Sequence, residues 1–272
     1  MYSDLERPGL DQRFLSGRLC KPGSLWTGIE VLDETESTNA VVAERAREGA
    51  AEGLVVCAEY QTAGRGRLGR TWSAPPRSAL LFSILLRPAT VPSARWPWLG
   101  LLTPLAVADA VRAVGEIDAR VKWPNDVLVA DRKLAGILLE RVEAADGTAA
   151  AVAGIGLNVS LRHSERPHEA ATSLALEDAA TTDRVTVLAA VLRAFETRYR
   201  AWVAAGGDPA AVLPSYRELS ATLGREVRAE LPDGTTLSGT AADVDTDGRL
   251  VIDGPGGRTA LAAGDIVHLR PA

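Results

Sequence analysis

Five short strings hold nearly all of the scarce polar residues of this chain: Ser37-Thr38-Asn39, Gln61 to Trp72, Lys122 to Asp126, Lys133 to Glu140 and Gly154 to Asn158. Among 272 residues there are 27 arginines but only three lysines, Lys21, Lys122 and Lys133. Asparagine is confined to Asn39, Asn125 and Asn158, and glutamine to Gln12 and Gln61. The strings contain every Asn, one of the two Gln and two of the three Lys. Arginine is a planar, permanently charged fork, whereas lysine is a compact ammonium point charge. Lysines retained in so arginine-rich a chain are therefore candidates for chemistry that needs the point charge.

Gly64-Arg65-Gly66-Arg67-Leu68-Gly69-Arg70 alternates glycine with arginine. Glycine lets backbone N–H groups approach a ligand closely, and guanidinium forks suit carboxylate or phosphate. A flexible solvated tract or a weak RNA-binding element is the competing reading. The string lacks the Gly-Lys-Ser/Thr end of a P-loop and the spacing of a Rossmann turn. Trp72 follows at once; it suits either the core or stacking on a flat base. In Lys122-Trp123-Pro124-Asn125-Asp126, three polar groups crowd the end of a strand that Pro124 interrupts. A polar surface turn is the plain explanation. The flanking apolar strands argue for partial burial, where each unpaired group would cost about 1–3 kcal/mol. Lys133 lies just past the next turn, so an Asp126 carboxylate across that hairpin is placed to orient it. Gly154-Ile155-Gly156-Leu157-Asn158 permits close approach of a flat ligand or another backbone, or marks a strand-end bulge. No Ser-His-Asp or Cys-His nucleophile arrangement is present. Any reaction here relies on positioning and electrostatic stabilisation.

The elements that must hold these strings predict an α+β fold. Strands are expected at Ile29 to Asp33, Leu54 to Ala58, Ser78 to Leu86 and Ala149 to Val159. A hairpin is expected over Val121 to Val142, with its turn at Asp131-Arg132. Helices are expected from the Ser37-Thr38-Asn39 cap to about Arg47, over Leu99 to Val114 and over Val185 to Ala204, with a short one at Leu10 to Leu19. Ser, Thr and Asn are preferred N-caps, so capping alone would account for that triplet. From Gly224 five short strands follow, Val227 to Leu231, Thr236 to Val244, Leu250 to Asp253, Thr259 to Ala262 and Val267 to Arg270. They are separated by Pro232-Asp233-Gly234, Asp247-Gly248 and Gly254 to Gly257, the pattern of a small antiparallel β-barrel. The expected division is an N-terminal extension (1–25), a catalytic domain with a mixed sheet (26–220) and a C-terminal barrel (221–272).

The net charge of −5 argues against a dedicated nucleic-acid binder. No apolar run reaches the roughly 20 residues of a membrane span, and the N-terminus lacks a signal-peptide core. Cys20 and Cys57 give neither a disulfide framework nor a metal spacing, which fits a reduced, cytoplasmic setting. His163, His168 and His268 have no partner at metal spacing, and solvated loops account for the first two.

Taken together, Thr35-Glu36-Ser37-Thr38-Asn39, Gln61 to Arg70, Lys122 to Asp126, Lys133-Leu134-Ala135-Gly136-Ile137, Gly154 to Asn158 and Ala171-Thr172-Ser173-Leu174 carry a resemblance. In order and spacing, over nearly its whole length, the chain resembles the biotin–protein ligases, in the short form without an N-terminal winged-helix domain. The resemblance implies two half-reactions: biotin and ATP, with Mg²⁺ carried on the phosphates, give biotinyl-5′-AMP and pyrophosphate. A lysine of a biotin carboxyl carrier protein domain then takes the biotinyl group and releases AMP. It implies that Ser37, Thr38, Asn39, Gln61, Gly64, Arg65, Gly66, Arg67, Lys133 and Gly136 form the biotin site. Arg65, Arg67, Arg70, Trp72, Asn125, Lys133 and Asn158 are implied for the adenylate, with Lys133, Arg67 and Asp126 nearest the chemistry. Lys122 is expected to brace the site, and the Gly64 to Arg70 loop to order over the adenylate. No metal-ligand set, no DNA and no membrane are expected, and the chain is expected as a monomer or weak homodimer. A lipoate–protein ligase is the nearest rival, disfavoured by the Lys-Trp-Pro-Asn-Asp string. A non-catalytic sensor is disfavoured by the presence of Lys133, and an RNA-binding module by the acidic balance.

Overall fold

The computed structural model describes residues 7–144, 147–231, 234–262 and 264–269. Its larger sheet has seven strands: β1 (Gly28–Leu32), β2 (Leu54–Ala58), β3 (Ala79–Leu86), β4 (Ala119–Lys122), β5 (Asp126–Val129), β6 (Arg132–Glu143) and β7 (Ala149–Asn158). They lie in the order β1-β2-β3-β7-β6-β5-β4. Only β1 and β2 run parallel; the remaining neighbours are antiparallel. The helices are α1 (Gln12–Leu19), α2 (Thr38–Arg47), α3 (Leu99–Gly115), α4 (Arg184–Ala204) and α5 (Leu213–Leu219). A second sheet contains β8 (Glu226–Glu230), β9 (Thr236–Val244), β10 (Leu250–Gly254), β11 (Gly257–Leu261) and β12 (Asp265–His268), in the order β11-β10-β9-β8-β12. All its neighbours are antiparallel.

Side chains alternate across a strand with period two, and that alternation decides where the site falls. Leu80, Phe82, Ile84 and Leu86 of β3 enter the large core with α3 and α4. So do Ala151, Ala153, Ile155 and Leu157 of β7. On the opposite face, Val42 and Ala46 of α2 cover Val56, Leu85, Val142, Ala150 and Val152. Helix α2 covers only one end of that face. Beyond it the rows continue as Ser83↔Gly154↔Leu138 and Leu81↔Gly156↔Gly136. Ser83, Gly154, Gly156 and Gly136 keep this part of the sheet low between Leu81 and Leu138.

The α+β expectation holds, with specific adjustments. The hairpin turn falls at Ala130-Asp131, since Val129 pairs with Arg132. Both turn residues have positive φ, 45° and 67°, as a two-residue hairpin loop of type I′ demands. Neither is Gly or Asn, which is why the composition pointed one residue late. The expected hairpin is in fact two successive hairpins, because its first half folds back on itself as β4-β5 before β5 pairs with β6, with a cis Trp123-Pro124 bond between β4 and β5. The C-terminal strands form an open five-stranded antiparallel sheet with β11 and β12 at its edges, without the closure of a barrel. The segment Ser93–Gly115 joins a 3₁₀ stretch to α3 and is long and apolar enough by length and composition to cross a bilayer, with Arg95, Asp109 and Arg112 interrupting its apolar run. Of its apolar window 72% is buried inside the fold, as suits a core helix. Helix α5 was not foreseen. The Pro232-Asp233 turn, the Arg270 strand end and residues 1–6 of the extension lie outside the described residues.

Candidate active site

The uncovered face of the larger sheet, roofed by the Gly/Arg loop and flanked by β12, bounds a cleft of about 1100 Å³. Ser37, Thr38, Asn39, Gln61, Arg65, Gly66, Arg67, Arg70, Trp72, Asn125, Asp126, Lys133, Gly136 and Asn158 all line it, as does Lys122. Gly64 does not. A Cβ there would lie 2.4 Å from the Trp72 carbonyl oxygen, so this glycine serves the close approach of the two ends of the loop.

One end of the cleft is a buried polar network. Ser37 precedes α2 but its side chain does not cap it. Instead Gln61 Oε1 accepts from the Thr38 N–H at 2.8 Å and lies 3.0 Å from Thr38 Oγ1. Ser83 Oγ lies 2.7 Å from Thr38 Oγ1 and 2.6 Å from Asn39 Oδ1. Asn39 Nδ2 donates to the Leu138 carbonyl at 3.2 Å and to Glu140 Oε2 at 2.6 Å. These two acceptors fix the Asn39 amide with its oxygen toward Ser83. The single Ser83 proton therefore goes to Asn39, because Oδ1 can only accept. Thr38 Oγ1 keeps a lone pair for a ligand N–H, while the Gln61 amide NH₂ and the Ser37 hydroxyl can donate to a ligand carbonyl. An acceptor beside two donors is the complement of a cyclic urea. A Cβ at Gly154 would meet Asn39 Oδ1 at 2.1 Å, so only glycine lets Asn39 lie on this floor.

Along the floor, Trp72 lies directly over Gly156, where a Cβ would come within 2.4 Å of its ring, and close to Gly136. Its Nε1 is buried and has no hydrogen-bond partner among the described residues. Lys133 Nζ is 5.6 Å from the Trp72 ring centroid and 2.7 Å from Asp126 Oδ1. The latter contact is an ion pair whose angle is not that of a hydrogen bond, since Asp126 Oδ1 accepts none. Asn125 Nδ2 donates to the Ile137 carbonyl at 2.7 Å, and its Oδ1 accepts from Arg67 Nη1 at 3.3 Å. Asn158 Nδ2 donates to the Thr172 carbonyl at 2.9 Å. Both asparagines thus brace the cleft walls with their amide nitrogens.

The far end is cationic. Burial pulls the Arg67 guanidinium below its ordinary value, against the opposing charges of Asp126 and Asp265. Burial likewise lowers the Lys122 ammonium, Lys133 and Arg70 adding repulsion while Asp126 and Asp265 offset it. Arg70 pairs with Asp265 at the start of β12, tying the loop to the second sheet. Crowded, partly desolvated cations of this kind gain from a polyanion that neutralises them.

Sequence reasoning missed Ser83, Glu140, Arg225, Asp265 and His268, and treated His168, which lines the rim, as a loop residue. His268 Nδ1 faces Arg225 Nη1 at 3.3 Å, and guanidinium only donates, so Nδ1 is the acceptor. Nε2–H then donates to Thr222 Oγ1 at 3.2 Å, which also accepts from the Trp123 N–H at 3.1 Å. Burial, then Lys122 and Arg225, push the imidazole from 6.5 down to about 4, against Asp131. Between those values the folded form binds fewer protons than the unfolded chain, so stability is full above 6.5 and falls as pH drops toward 4. Urea unfolding midpoints are expected to fall across that window less in His268→Gln than in the parent. Identical pH slopes for the two proteins would contradict this account of the ring.

The family model "Biotin/lipoate A/B protein ligase family" matches residues 31–158, and "Biotin protein ligase C terminal domain" matches residues 222–269. The chain is 42% identical over 98% of both lengths to the biotin–[acetyl-CoA-carboxylase] ligase of Mycobacterium tuberculosis. It is 32% identical to the bifunctional ligase/repressor BirA of Escherichia coli, over 84% of this chain and 70% of that one. The structure of the Aquifex aeolicus biotin protein ligase in complex with biotin and ATP is similar, with a TM-score of 0.73 and 28% identity over 90% of this chain and all of that one. With both models matched in order, and a ligase so similar from end to end, the chain belongs to the biotin protein ligase family.

Proposed function

We propose that this cleft joins biotin to ATP as biotinyl-5′-AMP and passes the biotinyl group to a lysine of a carrier-protein domain. One observation carries the reading: a urea-complementary polar network and a crowded cationic end share a single floor of small residues. Biotin's ureido ring fits the end formed by Ser37, Thr38 and Gln61, with Asn39 supporting it from below. Its chain then runs over Gly136 toward Lys133. There the carboxylate oxygen attacks the α-phosphorus, the bond to the bridging oxygen breaks, and pyrophosphate leaves. Lys133, with Arg67 beside it, stabilises the negative charge that gathers on the α-phosphoryl oxygens. Arg65, Arg67 and Arg70 lie over the carboxyl and phosphate groups, and Trp72 supplies the stacking surface for adenine, with Asn125 and Asn158 holding the walls. The carrier lysine attacks the acyl carbon of the anhydride, forming the amide and releasing AMP. The loop keeps water from the anhydride meanwhile.

No group of three or more His, Cys, Asp or Glu among the described residues could hold a metal ion. A Mg²⁺ bound through the triphosphate fits that donor set, with Asp126, whose Oδ1 accepts no hydrogen bond, as the carboxylate to meet it. Its contribution is to neutralise phosphate charge. The carrier is assigned to an acyl-CoA carboxylase by analogy with the M. tuberculosis relative. The reading includes a cytoplasmic monomer or weak dimer, and it includes no role on DNA, for which the net charge of −5 is the support. It also includes the division at about residue 220 between the catalytic unit and the C-terminal unit. The test is exchange of labelled pyrophosphate into ATP with purified protein and Mg²⁺. Exchange is expected with biotin and absent with lipoate; the reverse pattern overturns the reading.

A further inference from the structure

Glu140 stands where three parts of the site meet, and none of the motifs assigns it a task. It lies on the cleft-facing row of β6, opposite Val152 and two residues past Leu138, which pairs with Gly154. From there its Oε2 accepts from Asn39 Nδ2 at 2.6 Å, at the first turn of α2. The same carboxylate faces the roof: Arg65 Nη1 is 3.3 Å from Oε1, and Arg65 Nη2 is 3.4 Å from Oε2. One carboxylate thus holds the amide that orients Ser83 and, through it, Thr38, together with the first arginine of the loop. Only the Glu140 carboxylate can meet both at once, pairing with the Arg65 charge and accepting from the neutral Asn39 amide, which would lose one of its two acceptors without Glu140.

We propose that Glu140 is a positioning residue that couples the ureido end of the cleft to closure of the Arg65–Arg70 loop. This rests on the proposed biotin site. A ligand that locks Thr38 and Asn39 steadies the Glu140 carboxylate, and the steadied carboxylate holds Arg65 down. Conversely, an open loop leaves Asn39 with a mobile partner and a less ordered ureido site. The two contacts separate by chemistry. Glutamine at 140 still offers Oε1 to Asn39 but has no charge for Arg65; alanine offers nothing to either.

The test compares Glu140→Gln, Glu140→Ala and the parent by the rate of trypsin cleavage at the loop arginines, by biotin KM and kcat in pyrophosphate exchange, and by thermal midpoint. Loop cleavage in the ligand-free protein is expected to rise about two- to fivefold in both variants, the range of a half-exposed ion pair. Biotin KM is expected to change less than twofold in Glu140→Gln and to rise about tenfold in Glu140→Ala, as for loss of a hydrogen bond to a charged partner. Unchanged loop cleavage in Glu140→Gln overturns the coupling, whatever the thermal midpoint does. So does an unchanged biotin KM in Glu140→Ala. The cleavage arm needs no substrate, so failure of the biotin reading itself would show separately, as absence of exchange in the parent.

Discussion

Lys133→Ala is expected to lower biotin-dependent pyrophosphate exchange about 10²–10³-fold, the range for removing one preorganised group from developing charge. Lys21→Ala, on an exposed turn after α1, is expected to leave it unchanged. The argument rests on geometry. Lys133 is the second residue of β6, just past the Ala130-Asp131 turn, and its N–H donates to the Ala170 carbonyl at 2.7 Å, which fixes its backbone. Its ammonium is then held between the Trp72 ring and the Asp126 carboxylate. Removing it deletes a cation and also leaves Asp126 facing the phosphates uncompensated. The double variant Lys133→Ala/Asp126→Asn separates these effects. Recovery of more than half the loss on a logarithmic scale, beyond about tenfold to thirtyfold across that range, would assign most of it to the bare carboxylate. Near-normal exchange by the single variant would remove Lys133 from the reaction.

Arg184→Ala is expected to destabilise the fold by about 3–5 kcal/mol, because it leaves a buried charge without its partner. Arg184 Nη1 donates to Glu59 Oε2 at 2.6 Å, and both side chains are 6% exposed. Arg184 Nη2 also donates to the Pro8 carbonyl at 2.6 Å, while Glu59 Oε1 accepts from the Leu10 N–H at 2.6 Å. This pair binds the N-terminal segment, the end of β2 and the start of α4 at one point. Glu59 lies two residues before Gln61, so the loss is expected to reach the ureido site as well. Replacing both residues by methionine should cost less than Arg184→Ala alone, because no buried charge then remains. Denaturant midpoints for the single and double variants check this. A double variant less stable than the single one would contradict the account.

The strings that carry the chemistry were legible because scarce residue types marked them, and because apolar runs placed them at strand ends. Strand β2 reads the same in sequence and structure, as a short continuous apolar run bounded by polar residues should. The Gly154 and Gly156 pair was legible as a place of close approach, but not what approaches: Asn39 at one and Trp72 at the other. Ser83 was invisible, since one serine in Ala-Leu-Leu-Phe-Ser-Ile-Leu-Leu looks like ordinary strand composition. Its importance comes from parity, which puts it on the small-residue face beside Gly154. Glu140, Asp265 and His268 were missed for a related reason. Each works through a partner far away in sequence, and only the pairing of β6 with β7 and the placement of β12 bring those partners close. The 3₁₀ start that lengthens the Ser93–Gly115 segment was not foreseen; it contains Pro97, whose ring nitrogen offers no N–H to a helical ladder. The open edge between β11 and β12 is likewise a matter of pairing that strand spacing does not set.

The most direct test of the central claim is the mass of a biotin-carrier domain after incubation with this protein, biotin, ATP and Mg²⁺. The account predicts that the carrier gains one biotinyl group on a single lysine, only when both biotin and ATP are present, and that the Lys133→Ala enzyme leaves it unmodified under the same conditions. An unchanged carrier mass with the parent enzyme, or a gain that does not require ATP, would contradict it.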